Sequence, residues 1–242
     1  MVKKKTKIIT YSLYKNADYT NKNLKLEASL YGEYNQYNCL GAFAVTKELG
    51  IDEKIILKAI SGFNGLKGRM EEIENNKKIK IFIDFAHKPN ALESVLKSVR
   101  KMTHRNIIVV FGCAGLRDRL KRPMMGEIAG KFADYIILTA EDPRTEDVRD
   151  IISEISEGCL KAKIVQQTRG VDIKKLFKRK QKSFWRIPDR QEAINFAIRK
   201  IAQPGDFLLF TGKGHEKSMC YGQIEYPWDE KKAIMKALYD KT

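Results

Sequence analysis

From Lys77 onward the sequence alternates short apolar runs with longer amphipathic ones, and few folds satisfy that alternation. Strands are predicted at 79–86 ("IKIFIDFA"), 106–112 ("NIIVVFG"), 134–140 ("DYIILTA"), 184–189 ("FWRIPD") and 205–212 ("GDFLLFTG"). Helices are predicted between and after them at 88–102, 122–133, 145–160, 190–202 and 228–240. Two of these helices open with a proline in the first turn, Pro89 and Pro123, where no intrahelical N–H is needed. The strand runs are apolar throughout, as burial on both faces requires. The pattern predicts an α/β fold, a Rossmann-like and mostly parallel sheet with helices on both faces. Residues 219–227 read as a short hairpin, and 161–183, basic and weakly patterned, as a variable excursion.

The part before this is different. Leu40, Phe43, Ala44, Val45 and Leu49 follow a helical period that stops at Gly50. A second helix begins at Asp52, a suitable N-cap, with Ile55, Ile56, Ala59 and Ile60 on one face. A helical hairpin results, followed by the turn-rich linker "NGLKGRME". The chain is therefore expected to divide into 1–75, a strand segment with a helical hairpin, and 76–242, the sheet domain.

In parallel sheets, ligands gather at the carboxyl ends of the strands. Asp84–His87, Cys113–Arg119, Glu141–Arg144 and Gly212–Glu216 all lie just past predicted strand ends and should share one rim. Arg117, Arg119, Lys121, Arg122 and Arg144 bring cations suited to carboxylates or phosphates. Glu141, Asp142 and Glu216 bring carboxylates able to hold an ammonium group. Both signs together suit a zwitterion such as an amino acid. The loop "FTGKGHE" (210–216) resembles a phosphate cradle at first sight, but lacks the spacing and the following hydroxyl of a P-loop.

Composition narrows the classes. The four cysteines form no C-x-x-C pair, which argues for buried free thiols over disulfides or structural zinc. His87, His104 and His215 are too dispersed to suggest a metal site. No apolar run approaches the roughly 20 residues of a membrane span, and the start has no apolar signal segment. A cytoplasmic location with no membrane partner is expected. The net charge of +16 is read as a lysine-rich background plus a site that attracts anionic substrates. A nucleic-acid surface is disfavoured, because the basic clusters are not interleaved with exposed aromatics.

Five motifs occur in order: "DFAHKPNALESVL" (84–96), "VVFGCAGLRDRLKRPMMGEIAGKFAD" (109–134), "LTAEDPRTED" (138–147), "IPDRQEAI" (187–194) and "TGKGHEKS" (211–218). Together they resemble the C-terminal domain of the muramyl peptide ligases, in particular the branch that adds the third peptidoglycan residue. "GEYNQYNCLGAFAVTKELGI" (32–51) and "LKGRMEEI" (66–73) resemble the end of that family's central ATP-binding domain. The resemblance implies an ATP- and Mg2+-dependent ligase reaction. A diamino acid, meso-diaminopimelate or lysine, would be joined to UDP-N-acetylmuramoyl-L-alanyl-D-glutamate through an acyl phosphate.

The resemblance also implies site residues. Arg117 matches an arginine that grips the amino acid's carboxylate. Glu141, Asp142, Pro143 and Arg144 stand in the place of a D-N-P-R motif that recognises diaminopimelate, and Gly212 and Glu216 match further contacts to that substrate. Asn35, Asn38, Arg69, Asp84 and His87 match nucleotide contacts, with Asn90 beside them. No catalytic side chain and no metal ligand is assigned. The UDP-sugar domain, the ATP loop and the magnesium ligands have no counterpart in the sequence. The expectation is a shortened chain, inactive alone, or one half of a split ligase that needs a separate N-terminal half. The alternative is a non-catalytic amino-acid-binding or partner subunit.

Overall fold

The structure, a computed structural model, describes residues 7–14, 16–21 and 30–240. It divides into two compact units, Met1–Gly65 and Leu66–Thr242. In the first, β1 (Tyr11–Ser12) and β2 (Tyr19–Thr20) form a short parallel pair. The helical hairpin follows as α1 (Glu33–Glu48) and α2 (Glu53–Ser61). Asp52 caps α2 by accepting from the Lys54 amide at 2.9 Å. Leu40, Phe43 and Ile56 form the core of this unit, with Leu13, Tyr19, Leu57 and Ile60 against it. The strand-like stretch at 7–28 falls partly outside the described residues.

The second unit begins ten residues earlier than the sequence suggests. Leu66–Asn75 belong to it because β3 (Glu71–Ile73) pairs antiparallel with β4 (Lys80–Asp84). After β4 come α3 (Pro89–Met102), β5 (Ile107–Phe111), α4 (Lys121–Phe132), β6 (Tyr135–Leu138) and α5 (Val148–Lys161). The stretch read as an irregular excursion holds β7 (Val165–Gln166) and α6 (Ile173–Lys178). β8 (Ser183–Arg186), α7 (Arg190–Phe196) with a π-helical turn at Ala197–Ile201, and β9 (Phe207–Thr211) follow. The hairpin β10 (Ser218–Tyr221) and β11 (Ile224–Pro227) leads into α8 (Glu230–Tyr239). Asp147, Asp189 and Asp229 each cap the helix they precede, satisfying an N–H that the first turn leaves free.

The seven-stranded sheet has the order β3-β4-β9-β5-β6-β8-β7, and every pair except β3–β4 is parallel. Side chains alternate between faces. Ile81, Ile108, Ile137, Trp185 and Leu208 pack with residues of α6, α7 and α8 in one buried cluster. Phe82, Val109, Ile136 and Leu209, also buried, point to the opposite face, toward the buried stripes of α3, α4 and α5. On that side α4 and α5 cross at backbone contact. A Cβ on Gly126 would lie 2.0 Å from the Ile155 carbonyl oxygen, and one on Gly158 would lie 1.8 Å from that of Pro123. The glycines of "MMGEIAG" and "SEGCL" are thus the price of close helix packing.

Candidate functional site

Because β4, β5, β6 and β9 are parallel neighbours, their carboxyl ends open on one rim. A cleft of about 840 Å³ lies there, lined by residues of all four following loops, among them His87, Asn90, Arg117, Lys121, Glu141, Asp142, Arg144 and Glu216. The sheet topology thus brings together the strand-end residues that the sequence places on one rim. Asn35 and Asn38 lie on α1 of the other unit, three residues apart. Asn35 donates to the Tyr31 carbonyl at 2.7 Å, and the two side chains hydrogen-bond at 3.4 Å.

The cations of the rim divide into two sets. Arg122 is fully buried, and its guanidinium pairs with Glu146 at 2.9 Å and Glu154 at 3.0 Å. Arg119 pairs with Glu154 as well. These two arginines, expected as ligand donors, instead brace the start of α4 against the 146–154 segment. The Arg122 guanidinium beside Glu146 holds that carboxyl down at about 2, with the Leu116 amide adding to the effect. Arg117 is exposed, has no ion pair among the described residues and faces the cleft. Arg144 also lines it, with one guanidinium nitrogen donating to the Gly115 carbonyl at 2.7 Å. Lys121 donates to the His87 carbonyl at 2.8 Å, tying α4 to the β4 loop.

The carboxylates divide too. Asp142 Oδ1 accepts from the Cys220 amide at 2.9 Å and from Lys213 Nζ at 2.8 Å. The same Nζ lies 2.8 Å from Glu216 Oε2. Lys213, for which the sequence suggests no role, is fully buried and acts as an internal counter-ion to two rim carboxylates. Only the i,i+3 spacing of Lys213 and Glu216 hints at this beforehand. Glu141 has no such partner: it is 6% exposed, and its Oε2 has no hydrogen bond. Burial pushes its carboxyl up to about 7, against the opposing pull of Lys121, Arg190 and Lys213. Gly212 lies against it. Its φ is +100°, and a Cβ there would sit 2.8 Å from Glu141 Oε2, so the glycine makes room for the carboxylate.

The "EDPR" turn is held in an unusual shape. Asp142 (φ 42°) and Arg144 (φ 54°) both adopt the left-handed conformation, which costs non-glycine residues about 1 kcal/mol or more each. Backbone bonds hold them there: the Arg144 N–H donates to the Cys220 carbonyl at 3.0 Å, and its carbonyl accepts from Gly222 at 2.7 Å. Pro143 is buried beneath the turn. Under the rim, Arg190 pairs with Glu230 and donates to the carbonyls of Ala140 and Thr211, so one buried guanidinium joins the ends of β6 and β9. The sequence reasoning missed this tie, since Arg190 reads as an ordinary helix-start residue.

On the β4 side, Asp84 is buried, and its two oxygens accept from the Met70 and Ala86 amides at 2.9 and 2.8 Å. Burial raises its pKa, while those amides act in the opposite sense. Arg69 lies over the Phe85 ring, 4.7 Å from its centroid. The rings of His87 and His215 approach the same phenylalanine at 4.6 and 5.1 Å. All four cysteines are free and buried, and burial pushes the Cys113 thiol up to about 12. Among the described residues no cluster of histidine, cysteine and carboxylate side chains could hold a metal ion. Nor is any helix among them long and apolar enough to cross a membrane.

A doubly wound sheet with a mixed-charge cleft at its carboxyl rim defines a ligand-binding α/β domain. The chain belongs to the Mur ligase family: residues 68–214, more than half of it, match the domain described as "Mur ligase, glutamate ligase domain". It is 42% identical over 209 residues to a UDP-N-acetylmuramyl-tripeptide synthetase of Roseiflexus sp. (strain RS-1), covering 86% of this chain and 38% of that protein. It is 39% identical over 219 residues to a UDP-N-acetylmuramoyl-L-alanyl-D-glutamate--2,6-diaminopimelate ligase of Geobacter metallireducens, covering 88% and 41%. A solved structure with the latter name superposes with a TM-score of 0.61 at 30% identity, covering 96% of this chain and 47% of that one. A folylpolyglutamate synthase of Mycobacterium tuberculosis shares the fold, with a TM-score of 0.56 at 16% identity over 77% of this chain and 39% of that one. The chain thus spans about two fifths of the length of the relatives it matches.

Proposed function

We propose that the cleft receives the incoming amino acid of an ATP-dependent peptidoglycan-precursor ligase, a diamino acid with a second carboxylate such as meso-diaminopimelate. The observation that carries this reading is the arrangement of Arg117 and Arg144 around the same cleft as the unpartnered carboxylate of Glu141. Guanidinium forks match carboxylates in shape and charge, and a buried carboxylate without a partner favours an ammonium group. Diaminopimelate carries both groups at each end. The names of the relatives point the same way. Lys213 supports the reading indirectly, because its direct ion pairs are with Asp142 and Glu216, while Glu141 has no ion pair among the described residues.

The other substrates follow from the relatives. A UDP-muramoyl dipeptide would be held by portions of the relatives beyond the matched length. ATP would rest against Arg69, His87 and the Asp84 loop. Asp84 would act there by fixing the Arg69–Met70 turn through its backbone bonds. Mg2+ has no ligand set among the described residues, so no step is assigned to it here. Nucleotide and UDP-sugar substrates fit a cytoplasmic reaction.

Calorimetric titration with meso-diaminopimelate and with L-lysine tests the proposal. Arg144→Ala should weaken diaminopimelate binding about tenfold or more, the scale of one lost charged hydrogen-bond pair, and change lysine binding little. Equal losses for both ligands, or no heat from either with a folded sample, would overturn it.

A further inference from the structure

Residues 161–182 carry nine lysines and arginines against Asp172 alone, a net +8 in a chain of net +16. The fold gathers this charge on one edge of the sheet. β7 is the terminal strand and pairs only with β8. Lys163 precedes β7, α6 then runs back along the edge, and Arg179 and Lys180 lead into β8. Lys182 lies 3.9 Å from Asp134, the residue just ahead of β6. Since β6, β7 and β8 are parallel, Lys163 and the 179–182 turn sit at the amino end of the sheet, opposite the rim that bears the cleft. The charge at Lys163 and the 179–182 turn is therefore badly placed to draw anions to the cleft.

Nor is it neutralised from within. Lys161, Arg169 and Lys182 face Glu127, Glu192 and Asp134. Lys163, Lys174, Lys175, Lys178, Arg179 and Lys180 make no ion pair among the described residues, and all are exposed. Lys174 and Lys178, like Lys175 and Arg179, are i,i+4 neighbours of one sign, which destabilises a short helix; the negative end of the helix dipole offsets part of this. Leu176, buried, and Phe177, with its ring 5.3 Å from that of Tyr135, keep the helix on the sheet. Two exposed aliphatic residues flank the cluster, Leu160 (52%) and Val165 (39%). The cluster is mostly lysine and presents no exposed large aromatic, so it lacks the stacking platforms and most of the planar forks by which proteins hold bases.

We propose that this basic edge is a peripheral docking surface for an anionic phospholipid bilayer, with α6 and the 179–182 turn on the headgroups and Leu160 and Val165 at their boundary. Juxtamembrane clusters of four to eight lysines and arginines bind such surfaces, each charge contributing about fivefold. Docked this way, the carboxyl rim and its cleft face away from the lipid. The inference does not depend on what the cleft binds.

The test is co-sedimentation of the full chain with vesicles of phosphatidylcholine alone or with about 30% phosphatidylglycerol, a composition that supplies the anionic surface. Binding to the anionic vesicles at low salt, with release at high salt, is expected. K174Q/K175Q/K178Q/R179Q should lower the partition constant several hundredfold, and K163Q/K180Q, outside the helix, about 25-fold. Circular dichroism establishes folding, and the diaminopimelate titration, run separately, reports on the cleft alone. The proposal is overturned if the folded wild-type chain ignores the anionic vesicles, or if both variants sediment as it does. Tighter binding to duplex DNA than to vesicles at equal salt and equal anionic charge would also overturn it and assign the edge to nucleic-acid phosphates.

Discussion

Glu141→Gln removes one charge from the cleft and keeps the shape of the side chain. In the folded protein burial raises the Glu141 pKa from 4.5 to about 7; in the unfolded chain it returns to the ordinary range near 4.3. Between those values the folded state holds a proton that the unfolded state has released, so stability falls as pH rises through the window. At about 1.4 kcal/mol per unit, the loss levels off near 4 kcal/mol above pH 7. Glutamine has no proton to lose. The variant should exceed the wild type by about 1 kcal/mol at pH 5 and by about 4 kcal/mol at pH 8. Urea denaturation at pH 5, 6, 7 and 8 measures this, and titrations common to both proteins cancel in the difference. On the proposed reading a ligand ammonium prefers the ionised form, so wild-type affinity for diaminopimelate should rise about tenfold from pH 6 to pH 8. The variant should lack that rise. Stability differences that stay constant across the range would refute the reasoning, because Glu141 would then be ionised throughout, held by Lys121, Arg190 and Lys213.

Lys213→Met should destabilise the chain by about 3 kcal/mol, since Asp142 and Glu216 lose their cation. Hydrogen exchange should quicken in the β10–β11 hairpin, because the Cys220 amide depends on Asp142; unchanged exchange there would count against the link. Gly126→Ala should destabilise by about 2 kcal/mol or more in a thermal melt, because its Cβ would meet the Ile155 carbonyl. At an open helix position the same change stabilises by about 1 kcal/mol, so the sign alone decides whether α4 and α5 touch.

The parallel sheet was legible because each inner strand is buried on both faces and so reads as an unbroken apolar run, "IIVVF" being the clearest. Two helix starts were legible from Asp52 and Pro89. Two edge elements were not. β3 is Glu-Glu-Ile, an edge strand whose polar residues resemble a linker, and it moved the unit boundary. β7 has two exposed residues held by backbone pairing, and α6 buries only Leu176, so neither leaves a periodic signal among so many lysines. At the rim, residue type foretold location but not occupation. Arg117, Arg119, Arg122 and Arg144 look alike in sequence, yet Arg119 and Arg122 are engaged by Glu146 and Glu154. That distinction depends on α4 and α5 meeting, a contact that no local pattern encodes.

On the proposed reading, the buried lysine of "TGKGHE" helps to set which ligands the rim accepts. Without Lys213, Asp142 and Glu216 would stand uncompensated beside Asp118 and Glu141, and the cleft would attract almost any cation. Lys213 bridges Asp142 and Glu216 from below, at 2.8 Å each, and its single charge offsets half of theirs without occupying the cleft. On the proposed reading the ligand is held by two guanidinium groups, Arg117 and Arg144, and by the buried carboxylate of Glu141. A ligand with a single carboxylate and two ammonium groups leaves one guanidinium unmatched and brings a cation beside it. A ligand with two carboxylates matches both arginines and still offers an ammonium to Glu141. Selectivity on this reading depends on which rim charges the protein offsets internally, and Lys213 offsets part of the charge of Asp142 and Glu216.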